Sequence, residues 1–127
     1  MTSLTTQGIT VSVRPRFEAD RSAPDRFFAF SYFVRIENNS PQAVQLLTRY
    51  WRIVHLPGPI QEVEGEGVIG LQPRLEPGQS HEYASWVPLS TEMGFMEGHY
   101  EMVRHPGGEP FQVRIPRFEL APDFKWN

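Results

Sequence analysis

Residues 27–36 read FFAFSYFVRI, and the alternation inside that stretch decides the fold. Phe28, Phe30, Tyr32, Val34 and Ile36 share one face of an extended chain, the period-two signature of a strand with one side against a core. Upstream, Ile9, Val11 and Val13 alternate with polar neighbours, and Pro15 then marks an edge or a bulge. A polar, proline-containing connector from Glu18 to Asp25 joins the two.

Downstream, Asn38, Asn39, Ser40 and Pro41 supply turn chemistry before a long third strand from Val44 to Leu56. Simple alternation puts Leu47, Trp51 and Ile53 on one face and Val44, Leu46, Tyr50 and Val54 on the other, so both faces are expected to be covered. Pro57, Gly58 and Pro59 end that strand, and Ile60 to Glu64 returns as a hairpin. Leu75, Pro77, Gly78 and Gln79 read as a turn into the alternating segment Ser80 to Val87. Gly94 and Gly98 bracket a short connection into Tyr100, Met102 and Arg104. After the turn from His105 to Pro110, Phe111, Val113 and Ile115 form the last strand, with Phe118 and Leu120 trailing.

About seven strands, punctuated by 12 prolines and 10 glycines, predict an all-β, immunoglobulin-like or fibronectin type III-like β-sandwich. Trp51 is placed where such sandwiches bury a tryptophan, and Tyr100, just after Gly98, where they form a tyrosine corner. With 127 residues, the chain is expected to form one domain over residues 1–127 and to bury roughly two thirds of its unfolded surface.

The chain has no cysteine, which excludes disulfides, thiolate metal sites and thiol nucleophiles and suits the cytoplasm. The first twenty residues hold no apolar segment, and no run of about 18 apolar residues occurs anywhere, so neither export nor membrane spanning is expected. Charge is uneven. Seven Arg face four acids from Met1 to Pro59, whereas eight Glu face the single Arg74 from Ile60 to Glu101. Nucleic acid, which rewards a continuous basic patch, is a poor match to that acidic block; a basic protein face or a cation fits it better.

The segment Gly65-Glu66-Gly67-Val68-Ile69-Gly70 has the spacing G-x-G-x-x-G, which can bring backbone close to a pyrophosphate at a helix N-terminus. Here Leu71-Gln72-Pro73 follows, Pro73 opposes a helix, and Glu64 and Glu66 repel phosphate. A glycine-rich loop crossing between sheets is the expected structure. His81-Glu82 begins H-E-x-x-H, but position 85 is Ser85. His99 with Glu97 or Glu101, or the row Glu62, Glu64 and Glu66, is the weaker option of a loose hard-cation site. Ser85 near His81 lacks both a G-x-S-x-G elbow and a neighbouring Asp. No catalytic residue, resident metal or cofactor is expected.

The blocks Arg49-Tyr50-Trp51-Arg52-Ile53, Val63 to Pro73, Leu75 with Pro77-Gly78, Gly94 to Met102, and Phe111 to Phe118 together resemble the bacterial ApaG proteins across nearly the whole chain. The resemblance implies a fibronectin type III-like sandwich without an assigned catalytic activity. The family is named for a gene neighbour that hydrolyses diadenosine tetraphosphate and is loosely linked to cobalt and magnesium efflux. Similar domains are appended to eukaryotic F-box proteins and to a DNA polymerase delta-interacting protein, which implies protein recognition.

The sequence therefore predicts a non-catalytic interaction module with an unknown protein partner. The alternative is a small binder of a nucleotide related to dinucleoside polyphosphates, or of a divalent cation. The candidate docking loop runs from Gly65 to Leu71, with Val68, Ile69 and Leu71 in glycine-rich backbone and Glu62, Glu64 and Glu66 around it. The competing expectation is that Val68 and Ile69 tuck inward and plug the end of the sandwich.

Overall fold

The computed structural model describes residues 1–122. Nine strands run in chain order: β1 Thr2–Thr6, β2 Ile9–Phe17, β3 Phe28–Asn38, β4 Ala43–Leu56, β5 Ile60–Glu66, β6 Arg74–Leu75, β7 Ser80–Leu89, β8 Met93–His105 and β9 Pro110–Leu120. One sheet has the order β1-β2-β3-β7 and the other β5-β4-β8-β9, with β6 also paired to β4, and every pairing is antiparallel. The two sheets form a sandwich, with which the fibronectin type III-like expectation is compatible. A single 3-10 turn, Ala19–Arg21, interrupts the connector between β2 and β3.

The alternation holds from Phe30 onward, with Phe30, Tyr32, Val34 and Ile36 buried in the core, whereas Phe28 is half-buried and its neighbour Ala29 is buried. Pro15 lies in β2 opposite Tyr32, beyond Val13, where the pairing with β1 stops. Its missing N–H therefore faces no partner strand on that side. Trp51 is buried as expected, with its ring edge-on to Tyr32 at 5.3 Å and to Phe118 at 5.9 Å.

Several expectations are corrected. The strand count is nine because β1 and β6 were not anticipated. β1 closes on β2 through Gln7 and Gly8, both at positive φ (49° and 84°), the geometry of a two-residue hairpin turn. The simple alternation of β4 breaks at a bulge between Leu46 and Thr48. The extra residue transfers the core face from Val44 and Leu46 to Trp51 and Ile53. Leu47 is left half-buried outside the core.

Gly94 and Gly98 do not bracket a connection but lie inside β8, which is central between β4 and β9. Opposite the stretch from Met96 to Gly98, β9 carries a register shift, so Val113 and Ile115 before it and Phe118 and Leu120 after it all point inward. Tyr100 is not a tyrosine corner. It sits mid-strand between Arg49 and Val113, fully buried, and its hydroxyl bonds the Tyr83 hydroxyl of the facing sheet instead of nearby backbone. Burial pushes both phenols well above the usual tyrosine range, so each stays neutral.

Along one side of the sandwich β1 and β2 pack against β9, and the Arg114 N–H donates to the Thr6 hydroxyl at 3.2 Å. On the opposite side, β5 and β7 are the outer strands of their sheets, and a groove lies between them.

Candidate functional site

The groove follows from topology: two edge strands face each other, and their inward side chains leave a gap with a volume of about 860 Å3. Trp51, Ile53 and Tyr32 line its floor, Val87 and Leu89 contribute from β7, and Val63 from β5. Two of its apolar lining side chains are not absorbed by the core: Trp86 is 55% exposed and Val63 37%. Among the described residues no carboxylate lines this groove; its charged lining side chains are Arg26 and Arg49.

His55, at one end, is buried between the sheets and accepts the Ser90 N–H at Nδ1 (2.9 Å). Its Nε2–H therefore donates to Gln61 Oε1 (2.7 Å), which fixes the ring's orientation and ties β4 to β5.

Arg49 sits toward the other end. The bulge at Leu47 puts it in register with Trp51 and Ile53, so it points between the sheets rather than outward. One guanidinium nitrogen donates to the Glu66 and Gly67 carbonyls at 3.0 and 3.1 Å. Gly65 makes room for it, since a Cβ there would stand 2.7 Å from that nitrogen. Beside it, a smaller cavity of about 260 Å3 is lined by Tyr32, Tyr83 and Ser85 from the first sheet and by Glu66, Val68 and Ile69. Burial pushes the Tyr32 phenol up, with Ser85 and the Arg49 guanidinium acting in the opposite sense.

The predicted docking loop is split by its own turn. Gly65 and Glu66 finish β5, and Gly67 adopts φ +62° where a side chain would strike the Leu71 carbonyl. Val68 and Leu71 then exchange two backbone hydrogen bonds of 2.8 and 3.0 Å around Ile69 and Gly70, at φ +47° and +75°. This is the pattern of a type I′ hairpin turn. Val68 is buried and caps the core, as the plug expectation has it, whereas Ile69 does not tuck inward and, with Leu71, faces solvent. The loop does not cross between sheets: the chain returns along β4 through β6. A β-bridge follows Gly70 where a phosphate-binding loop would open a helix.

Glu62, Glu64 and Glu66 are exposed, and the Tyr50 hydroxyl donates to Glu62 at 3.2 Å. His99 stacks on Tyr50 and lies 3.5 Å from Glu101, while Glu97 is paired with Arg52 at 2.8 Å. Among the described residues no three potential ligands converge on a cation position. Ser85 and His81 lie on one strand four residues apart, roughly 13 Å, too far for a nucleophile and its base.

Sequence reasoning missed Arg49 and Trp86 as site residues. The signal for Arg49 was its spacing of two from Trp51, usable only once the bulge is known. Trp86 lies out of phase with Tyr83, Ser85 and Val87, so period-two reading puts it on a solvated face.

An isoleucine at positive φ costs stability, because a β-branched side chain crowds its own backbone there. Ile69→Asn, which gives the Asn-Gly pair that such turns favour, is expected to raise unfolding stability by about 1 kcal/mol in urea denaturation. A loss of stability instead would mean that the exposed Ile69 side chain packs usefully on its surroundings.

Fold and groove together define a small antiparallel two-sheet sandwich with a groove along one open side. The ApaG domain family matches residues 18–104, and the chain belongs to that family. Protein ApaG from Rhodospirillum centenum is 50% identical over 121 residues, 94% of this chain and 92% of the relative. Protein ApaG from Stenotrophomonas maltophilia is 47% identical over 116 residues, 86% of this chain and 91% of the relative. The crystal structure of a putative ApaA protein from Bordetella pertussis superposes with a TM-score of 0.87 at 42% identity, covering 91% of this chain and 94% of that one.

Proposed function

We propose that the chain is a non-catalytic recognition module that holds an extended apolar segment of a protein partner in the groove between β5 and β7. The observation that carries this reading is that two exposed apolar side chains, Trp86 and Val63, line a groove walled by two outer strands. Outer strands offer unpaired backbone N–H and C=O groups to a further strand, and the pocket between them gives alternate side chains of that strand somewhere to go. The reading is non-catalytic because the Tyr32, Tyr83 and Ser85 hydroxyls have no base beside them, and the Ser90 hydroxyl, 2.9 Å from His55 Nδ1, shares that nitrogen with its own backbone N–H while Gln61 rather than a carboxylate stands behind the imidazole. A cysteine-free chain fits work in the cytoplasm, and among the described residues no helix is long and apolar enough to cross a membrane.

A displayed library of random nonapeptides tests it. Selected peptides are expected to be apolar and extended, to shift the amide signals of Ser85 to Leu89, and to bind Trp86→Ala at least about tenfold more weakly. Trp86→Ala itself should leave stability within about 0.5 kcal/mol, since the side chain is largely exposed. Selected peptides that shift only β1 and β2, or a nucleotide or divalent cation that shifts the groove while no peptide does, would overturn the assignment.

A further inference from the structure

We propose that Arg49 anchors the partner segment by its C-terminal carboxylate, so that this module reads the end of a chain. The inference rests on the groove reading above and adds the chemistry of one end of it. Arg49 points between the sheets, half-buried, and its described polar contacts are two backbone carbonyls; none of the ion pairs among the described residues includes it. A guanidinium has five N–H donors, and one of its terminal nitrogens serves both carbonyls. Arg49 also lines the cavity shared with the hydroxyl-bearing side chains of Tyr32, Tyr83 and Ser85, to which the exposed Glu66 contributes at its rim. An apolar segment laid over this cation would strip its remaining water, and an anion on the segment offsets that cost through a charge-assisted pair.

Three observations select a chain terminus and a single charge. The turn Val68–Leu71 lies across the groove just past Arg49, and β6 covers the next stretch of β4, so an occupant reaching Arg49 has no straight path onward. The acidic row Glu62, Glu64 and Glu66 lies on the neighbouring strand and disfavours a phosphate dianion more than a carboxylate. Direction is consistent as well. A segment ending at Arg49 would run from Leu89 toward Tyr83, antiparallel to β7, with about five residues in the groove at ~3.3 Å each.

The experiment uses one pool of N-terminally fluorescent hexapeptides, apolar at alternate positions and free of Asp and Glu, made as free acids and as C-terminal amides. The free acids are expected to bind at least about tenfold more tightly than the amides. They should also shift the Arg49 guanidinium N–H signals, which the amides should leave in place. Arg49→Gln should remove the difference between the two pools. If that variant unfolds, Arg49→Lys and the wild-type guanidinium signals carry the same comparison.

Equal binding of acids and amides, with shifts in β7, overturns the carboxylate anchor and leaves the groove reading standing. Failure of both pools to shift β7 overturns both. Amides carrying an internal Asp that bind as well as the free acids overturn the chain-end assignment. Inorganic phosphate shifting the Arg49 signals at lower concentration than acetate overturns the carboxylate in favour of a phosphate.

Discussion

Gly98→Ala is expected to lower unfolding stability by about 3 kcal/mol or more, enough to leave a small domain marginal or unfolded. Gly98 is paired with Trp51 on one side and Ile115 on the other, in the strand at the centre of its sheet. A Cβ there would collide with the Tyr50 carbonyl oxygen and come within 3.0 Å of its carbon and 3.2 Å of the Trp51 Cα. All of these are backbone atoms, so no side chain can swing aside. Relief requires β4 to move away from β8, and β4 carries Trp51 into the core.

Gly70→Ala provides the contrast. It meets nothing within 4 Å, and only its φ of +75° opposes a side chain, so it should cost about 1 kcal/mol. Urea denaturation of both variants checks the pair. A Gly98→Ala loss no larger than that of Gly70→Ala would mean that β4 and β8 can part locally at little cost, and the close-approach argument would fail.

The same glycine marks what the sequence could not say. Gly94 and Gly98 look like the ends of a connection because glycine weakens strands, and only the nearness of β4 explains why β8 needs them. Residues 30–36 were legible because a one-sided strand writes its burial into alternation. Thr2–Thr6 was not, since T-S-L-T-T has a single apolar residue, Leu4, and is held by pairing with β2 and packing against β9. The long strand β4 was found, but its faces were misassigned, because a one-residue bulge leaves no mark in composition.

The site suffers from the same non-local dependence. Val68 and Ile69 are adjacent and similar, yet a type I′ turn buries one and exposes the other. The groove exists because β5 and β7 end up as outer strands on one side, a fact about pairing order that no local stretch contains. The G-x-G-x-x-G spacing was legible, but its physical reasons here are local: room for Arg49 at Gly65, the Leu71 carbonyl at Gly67, and the turn at Gly70.

Asn38→Ala is expected to lower stability by about 2–4 kcal/mol, because the Asn38 side chain is fully buried and satisfied at every polar site. Its Nδ2 donates to the Gln42 and Leu75 carbonyls, each at 2.9 Å, and its Oδ1 accepts the Ser40 N–H at 3.0 Å and the Ser40 hydroxyl at 2.6 Å. Its own backbone binds the turn before β7, donating to the Gln79 carbonyl and accepting the Gly78 N–H. One residue thus ties the end of β3 to the β3–β4 turn and to β6 on the other sheet. Truncation takes this donor from the buried Leu75 carbonyl and leaves the Gln42 carbonyl with the Ser40 hydroxyl.

Asn38→Asp separates this polar account from mere loss of volume. The shape is kept, yet an ionised carboxylate would face the two carbonyls, so its folded pKa must rise above the unfolded value of about 4. Below that value both states are neutral and the protonated acid can still donate one hydrogen bond. As pH climbs toward the folded pKa, the unfolded state ionises first and stability falls by about 1.4 kcal/mol per unit relative to the parent. Denaturation of the Asp variant and parent from pH 4 to 7 should therefore show a widening gap. A gap that stays constant across that range would show that donation to the Gln42 and Leu75 carbonyls is not what holds the two sheets together at this corner.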